Sequence, residues 1–154
     1  MIVNQWVPAA HRSDAIGDSA RRVRDLLRRL GHESELYALT IDDDLTADVR
    51  PFSDSSAGRG DVTILHFALP SPMTAAFAAL EGRRILQYHN LTPARFFARY
   101  DAKLFRLAVL GRRELATLVG SVDLALGDSE YNRRELASLG FDPTGIFPIA
   151  FDRS

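Results

Sequence analysis

Three of the four histidines in this 154-residue sequence lie in segments that follow predicted strands. His11 comes after the first strand, His66 ends a strongly apolar one, and His89 follows the next strand along. Imidazole changes its charge near neutral pH, so it suits both polar recognition and proton transfer. A later strand is followed by Asp128 and Ser129. These residue types predict one polar site assembled from several loops.

His89 is the strongest candidate for a functional histidine. It stands where a strand gives way to a loop that continues with Asn90 and Thr92, and the proline after Thr92 restricts that loop. His66 lies within an apolar run, where a hydrogen-bonded core histidine is the commoner outcome, so a core role stays open beside a role in the site. Ser129 is placed to cap a helix, and any ligand contact would add to that role.

Gly17 and Asp18 precede most of the first predicted helix and allow two interpretations. They can form only a turn and a cap. Alternatively, backbone N–H groups of this loop, together with the helix N-terminus, can hold a phosphate group. The dinucleotide-binding pattern of three glycines is absent, so the residues alone leave both interpretations open.

Composition excludes several classes of function. The chain has no cysteine, no phosphate-binding P-loop, no nucleophile elbow and no histidine pair at metal-ligand spacing, so no metal cofactor is expected. Lys and Arg number 19 against 20 Asp and Glu, a net charge of -1, whereas nucleic-acid binding usually needs a basic surface. We therefore expect no nucleic-acid partner.

The first predicted helix carries five arginines, which favour a solvated face over a membrane contact: Arg21, Arg22, Arg24, Arg28 and Arg29.

Apolar periodicity alternates between strand and helix along the sequence. The predicted strands cover residues 1–7, 35–40, 61–68, 83–88, 123–127 and 146–151, with a short strand near 49–52. The predicted helices cover residues 16–30, 71–80, 102–119 and 129–139. This alternation predicts an α/β fold: a single Rossmann-like domain over residues 1–154, with a doubly wound, mainly parallel sheet. Ligands of such sheets bind at the carboxyl ends of the strands, where the polar segments fall.

Two stretches carry a more specific signal. Residues 87–93 read QYHNLTP and residues 129–141 read SEYNRRELASLGF. Both resemble the N-terminal half of family 4 (group 1) glycosyltransferases, which are retaining enzymes of the GT-B fold. Residues 16–18, 30–32 and 64–67 fit the same pattern, so the likeness extends over essentially the whole sequence.

The resemblance implies a cleft between two Rossmann-like domains, with the acceptor held mainly by the N-terminal one and the nucleotide-sugar by the other. His89 corresponds to the active-site histidine that contacts the transferred sugar, and no metal is needed. The further substrate-binding positions implied by the resemblance are Gly17 and Asp18 near the donor diphosphate, Asn90 and Thr92 in the same wall as the histidine, and His66 and Ser129.

The paired glutamates and phosphate-binding cations of the family belong to its second domain, which this sequence does not contain. We therefore expect half of an enzyme, inactive alone, whose partners are the missing C-terminal domain and an acceptor: a sugar, a lipid-linked sugar or a small molecule. Its uncovered interface favours self-association. With no signal peptide in view, a cytoplasmic location is expected. The alternatives are a free-standing Rossmann-like binding module or partner subunit, and a small complete enzyme using His66 and His89.

Overall fold

The computed structural model of the protein describes residues 1–11, 14–89 and 102–148. Within them lie the strands β1 (Val3–Ala10), β2 (Leu36–Ile41), β3 (Arg50–Pro51), β4 (Val62–Phe67), β5 (Arg83–Tyr88), β6 (Leu124–Gly127) and β7 (Thr144–Ile146). The helices are α1 (Ala15–Arg29), α2 (Met73–Ala78), α3 (Ala102–Ala116) and α4 (Glu130–Leu139). Two short 3-10 turns, Asp43–Leu45 and Ser55–Gly58, lie between β2 and β4.

The strands form one parallel sheet in the order β3-β2-β1-β4-β5-β6-β7. The order runs outward from β1 in one direction and then from β4 in the other, which defines a doubly wound sheet with its switch point between β1 and β4. The predicted α/β, Rossmann-like fold is therefore confirmed.

Alternate residues of the strands pack on opposite faces of the sheet. On one face Trp6, Leu65 and Leu86 belong to the larger core, which also contains Phe77 of α2 and Leu136 of α4. On the other face a smaller core lies under α1, and its members include Val7, Ala20, Leu36 and Ala38. Burial on both faces is typical of parallel sheets and explains the nearly continuous apolar runs of the strands.

The first strand continues to Ala10, beyond the end predicted from Pro8. Its pairing with β4 ends at Trp6, while its pairing with β2 continues to Ala10. Pro8 therefore lies where the strand is paired on only one side, so a missing N–H is tolerated there. The last strand is three residues long and ends at Ile146. Residues 147 and 148, predicted to belong to it, are not in a strand, and the predicted residues 149–151 lie outside the described residues.

Helix boundaries correct one prediction about the site. The Asp14 carboxylate accepts a hydrogen bond from the backbone N–H of Ile16 at 3.0 Å, which makes Asp14 the N-cap of α1. Gly17 and Asp18 therefore lie in the first turn of the helix and not in a loop before it. The predicted end of this helix is confirmed, because Gly31 has φ 95° immediately after the C-cap residue Leu30.

Candidate functional site

A row of four buried or nearly buried polar side chains crosses the sheet from β1 to the end of β6. We call Gln5, His66, His89 and Asp128 the polar row. Gln5 Oε1 lies 2.7 Å from His66 Nε2, and His66 Nδ1 lies 2.9 Å from His89 Nε2. His89 Nδ1 lies 3.0 Å from Asp128 Oδ2. The structure thus brings together two of the three histidines singled out in the sequence.

Strand geometry places these side chains on one face. His66 is the register partner of Gln87 in the β4–β5 pair, and His89 comes two residues after Gln87, so all three point to the same side of the sheet. The amide of Gln87 donates to Asp128 Oδ1 at 2.7 Å and to the carbonyl of Phe147 at 2.9 Å. Asp128 is therefore held between His89 and Gln87.

Burial determines the electrostatics of the row. His66 is 5% exposed and His89 is 4% exposed, whereas the Asp128 side chain is 13% exposed. Burial holds the pKa of His66 well below its usual value, and repulsion by His89 lowers it further. His66 is consequently a neutral imidazole at neutral pH. Both ring nitrogens of His89 are bonded within the protein, so in this arrangement neither is free to take a proton from a substrate.

The other predicted site residues have different surroundings. Ser129 directly follows Asp128, and its hydroxyl accepts from the backbone N–H of Asn132 at 3.2 Å, which confirms it as the N-cap of α4. The Asp18 carboxylate pairs with Arg21, one turn along α1. A Cβ added to Gly17 would lie 3.5 Å from the Asp14 carboxylate, an ordinary contact. The described protein atoms therefore do not require glycine at this position.

Asn90 and Thr92 lie outside the described residues. Gln5 and Gln87 were not among the predicted site residues, and Asp128 was noted only as a polar residue after a strand, without a role of its own. Asp128 had a usable signal, because it directly follows a strand at the carboxyl edge of the sheet. Gln87 lies in the stretch that carries the family resemblance. Gln5 is marked in the sequence only as a polar residue within an apolar strand.

A small apolar cavity lies beside the polar row, between α1 and the face of β4, β5 and β6. It has a volume of about 150 Å³. Val23 and Leu27 line it from α1, and Ile64, Ile85 and Leu126 line it from the sheet. The glutamines and histidines in its wall direct their polar groups to one another, to Asp128 and to backbone carbonyls, so the cavity presents mainly hydrocarbon to a ligand.

Within residues 1–11, 14–89 and 102–148 there is no group of three or more His, Asp or Glu side chains that could hold a metal ion. No helix in this part of the chain is both long enough and apolar enough to cross a membrane.

Solved structures of alpha-glucosyltransferase share this fold. One, in complex with UDP and a 13-mer DNA containing an HMU base, has a TM-score of 0.66 and 14% identity, and the match covers 99% of this chain and 43% of that one. Another, in complex with UDP, has a TM-score of 0.65 and 12% identity over 99% of this chain and 45% of that one. A third, with UDP-glucose and DNA containing an abasic site, has a TM-score of 0.64 and 13% identity, covering 99% and 43%.

The described chain spans less than half the length of these alpha-glucosyltransferase structures. No protein-family model and no curated protein matches the sequence. At such low identity the structural likeness establishes the fold, which is that of one half of a GT-B glycosyltransferase.

Proposed function

We propose that this chain is the N-terminal, acceptor-side half of a glycosyltransferase that moves a sugar from a nucleotide-sugar donor to an acceptor with retention of configuration. One observation carries the proposal. A sheet with the fold of half a GT-B enzyme holds His89, bonded to Asp128, at the carboxyl edge where ligands of doubly wound sheets bind. A second domain that binds the donor is needed for activity.

In this proposal His89 contacts the transferred sugar and does not act as a simple base. The bonds of its two ring nitrogens to His66 and Asp128 support this role, because they fix the ring and leave no unshared nitrogen for proton removal. By the family resemblance we also assign substrate binding to Asn90 and Thr92, which lie outside the described residues. His66 holds the ring of His89 in place, and Ser129 is assigned to substrate binding next to Asp128.

The first turn of α1 would face the donor diphosphate. Helix N-termini favour anions because their backbone N–H groups are unpaired and the helix dipole is positive there. Gly17 supports this assignment, because no neighbour among the described residues demands a glycine there, whereas a phosphate approaching the backbone would. The carboxylate of Asp18 is already paired with Arg21. We therefore assign Asp18 either to orienting the acceptor or to stabilising the first turn of α1. In this proposal the second domain supplies most of the contacts to the diphosphate. Catalysis needs no metal.

The acceptor is proposed to be a sugar, a lipid-linked sugar or a small molecule, and the reaction to take place in the cytoplasm. Two of the three alpha-glucosyltransferase structures described above were solved with DNA, so DNA is an acceptor class that must be tested. The net charge of -1 argues against it, because phosphate neutralisation supplies most of the affinity for nucleic acid. Any surface that a second domain covers would favour self-association of this half.

The test uses isotope-labelled protein titrated with UDP-glucose, UDP and a short DNA duplex, followed by NMR chemical shifts. We expect weak binding of UDP-glucose, with a dissociation constant in the millimolar range, and shifts confined to the first turn of α1 and the edge near His89 and Asp128. We expect no sugar transfer. Joining a donor-binding domain should create activity that His89→Ala abolishes and that His11→Ala, at an exposed histidine, leaves intact.

Tight nucleotide-sugar binding or turnover by the isolated chain would contradict the half-enzyme proposal. Shifts induced by DNA, and none by UDP-glucose, would contradict the proposed acceptor class. The competing function is a Rossmann-like binding module or partner subunit without catalysis, which the internally bonded nitrogens of His89 also fit. It predicts that no added donor-binding domain produces His89-dependent transfer.

A further inference from the structure

We propose that Gln5 is a positioning residue that sets the proton positions on both histidines of the polar row. Acting through His66, it holds His89 in the doubly protonated, cationic form, with the Asp128 carboxylate as its counter-ion. The proposal stands on hydrogen-bond geometry and does not depend on the proposed enzymatic function.

The first step is the orientation of the Gln5 amide. One terminal atom of this amide lies 2.8 Å from the backbone carbonyl oxygen of Ala20. A carbonyl oxygen only accepts hydrogen bonds, so the atom facing it must be the NH2 group of Gln5. The amide oxygen then faces His66 Nε2 at 2.7 Å. Gln5 is fully buried, so reversing the amide would oppose two oxygens with no water to relieve them.

The second step is the tautomer of His66. Since Gln5 Oε1 only accepts, His66 must carry a proton on Nε2. Burial keeps His66 neutral, so this is its only ring proton and Nδ1 has a lone pair. His66 Nδ1 lies 2.9 Å from His89 Nε2, and the hydrogen bond between them requires His89 to donate.

The third step is the charge on His89. Its Nδ1 lies 3.0 Å from Asp128 Oδ2, and the other oxygen of Asp128 accepts from Gln87 at 2.7 Å. Hydrogen bonds donated to a carboxylate stabilise its charged form, so Asp128 accepts at both oxygens. His89 therefore donates from Nδ1 as well as from Nε2, which makes its ring an imidazolium. The row thus places a water-shielded cation at the carboxyl edge of the sheet.

The direct test is a long-range proton–nitrogen correlation NMR spectrum of the unmodified protein at pH 7.5. Protonated and unprotonated ring nitrogens resonate far apart, so each of the four nitrogens can be assigned. We expect His66 to be protonated at Nε2 only and His89 at both nitrogens. A His89 ring with one unprotonated nitrogen, or a His66 ring protonated at Nδ1 only, would overturn the proposal without any variant being made.

The variant Gln5→Met tests the part played by Gln5. Methionine has a similar length and cannot accept this hydrogen bond well, so His66 is free to carry its proton on Nδ1 and donate it to His89. We expect the Nε2 signal of His89 to move to the unprotonated range. The control Asn4→Leu removes another buried amide from the same strand and should leave all four nitrogens unchanged.

A purely structural role for Gln5 would lower the melting temperature of Gln5→Met and leave His89 doubly protonated, and that result would refute the positioning role. If Gln5→Met fails to fold, the spectrum of the unmodified protein still decides the proton positions on both rings.

Discussion

The imidazole rings of His66 and His89 meet edge to edge. Their planes differ by 11°, their centroids are 5.1 Å apart, and the two nitrogens between them are 2.9 Å apart. A face-to-face stack would bring the centroids closer than this, so the contact is a directed hydrogen bond within one plane. The backbone N–H of His89 donates to the carbonyl of Phe67 at 2.9 Å, so the pairing of β4 with β5 continues to His89 and positions the two rings beside each other.

Replacing Asp128 with asparagine should destabilise the fold. The substitution removes the counter-ion of a buried histidine while keeping the size of the side chain, and we expect a loss of about 1–3 kcal/mol in the free energy of unfolding. Urea denaturation of both proteins measures this loss in the free energy of unfolding. Asp43→Asn is a suitable control, because Asp43 is exposed in a short 3-10 turn away from the site. Equal losses for the two variants would contradict the proposed part of Asp128 in the polar row.

Glu130 should make stability depend on pH in the acid range. Hydrogen bonds from Arg133, and then from Arg134, lower the pKa of this carboxyl from 4.5 to about 2. The folded-state pKa is depressed, so the stabilisation is present above pH 4.5 and is lost as the pH falls toward 2. Melting temperatures between pH 2 and pH 6 should therefore fall less steeply in Glu130→Gln than in the unmodified protein. Glu81→Gln, at another exposed glutamate, should keep the original slope.

Gly127 allows β6 to approach the start of α4 closely. A Cβ at this position would lie 2.6 Å from the backbone nitrogen of Arg133 and 2.9 Å from the carbonyl carbon of Asn132. Neither backbone atom can move without displacing α4, so Gly127→Ala should cost about 1–3 kcal/mol by overpacking. Thermal unfolding checks this. Gly58→Ala meets only the end of Leu80, at 3.5 Å, and should change stability much less.

Ser129 can be tested for a role beyond capping. Loss of the N-cap hydroxyl in Ser129→Ala should lower stability by about 1 kcal/mol. Ser138→Ala, at an exposed position on the same helix, should have a smaller effect. If Ser129 also contacts the donor or acceptor, the NMR shifts induced by UDP-glucose should weaken in Ser129→Ala and persist in Ser138→Ala. Unchanged shifts in both variants would limit Ser129 to the cap.

The elements with strong local signals were predicted well. The bounds of β5 agree with the prediction, because its sequence RRILQY is followed directly by the polar residues His89 and Asn90. Helix α4 has the predicted cap at each end, Ser129 and Gly140. The start of α1 was placed too late because the helix begins at Ala15, and the capping role of Asp14 is hard to distinguish from that of other polar residues nearby. Local signals thus predict that an element exists better than they predict where it begins.

The polar row could be predicted only in part. The sequence places His66, His89 and Asp128 at the ends of neighbouring strands, so their convergence follows from a parallel sheet. The contribution of Gln5 does not follow in the same way, because it requires β1 to pair with β4 and the carbonyl of Ala20 in α1 to face the amide. These are contacts between distant segments, and a single sequence carries no direct signal for them.

The switch point between β1 and β4 also divides the domain into two windings, which the polar row joins. Gln5 and Ala20 belong to the first winding, and His66, His89 and Asp128 belong to the second. The hydrogen bond between Gln5 and His66 can form only after the two windings have docked. During refolding, the nitrogen signals of His89 would therefore reach their final values only after β1 has docked against β4, so this one side chain reports the joining of the two windings.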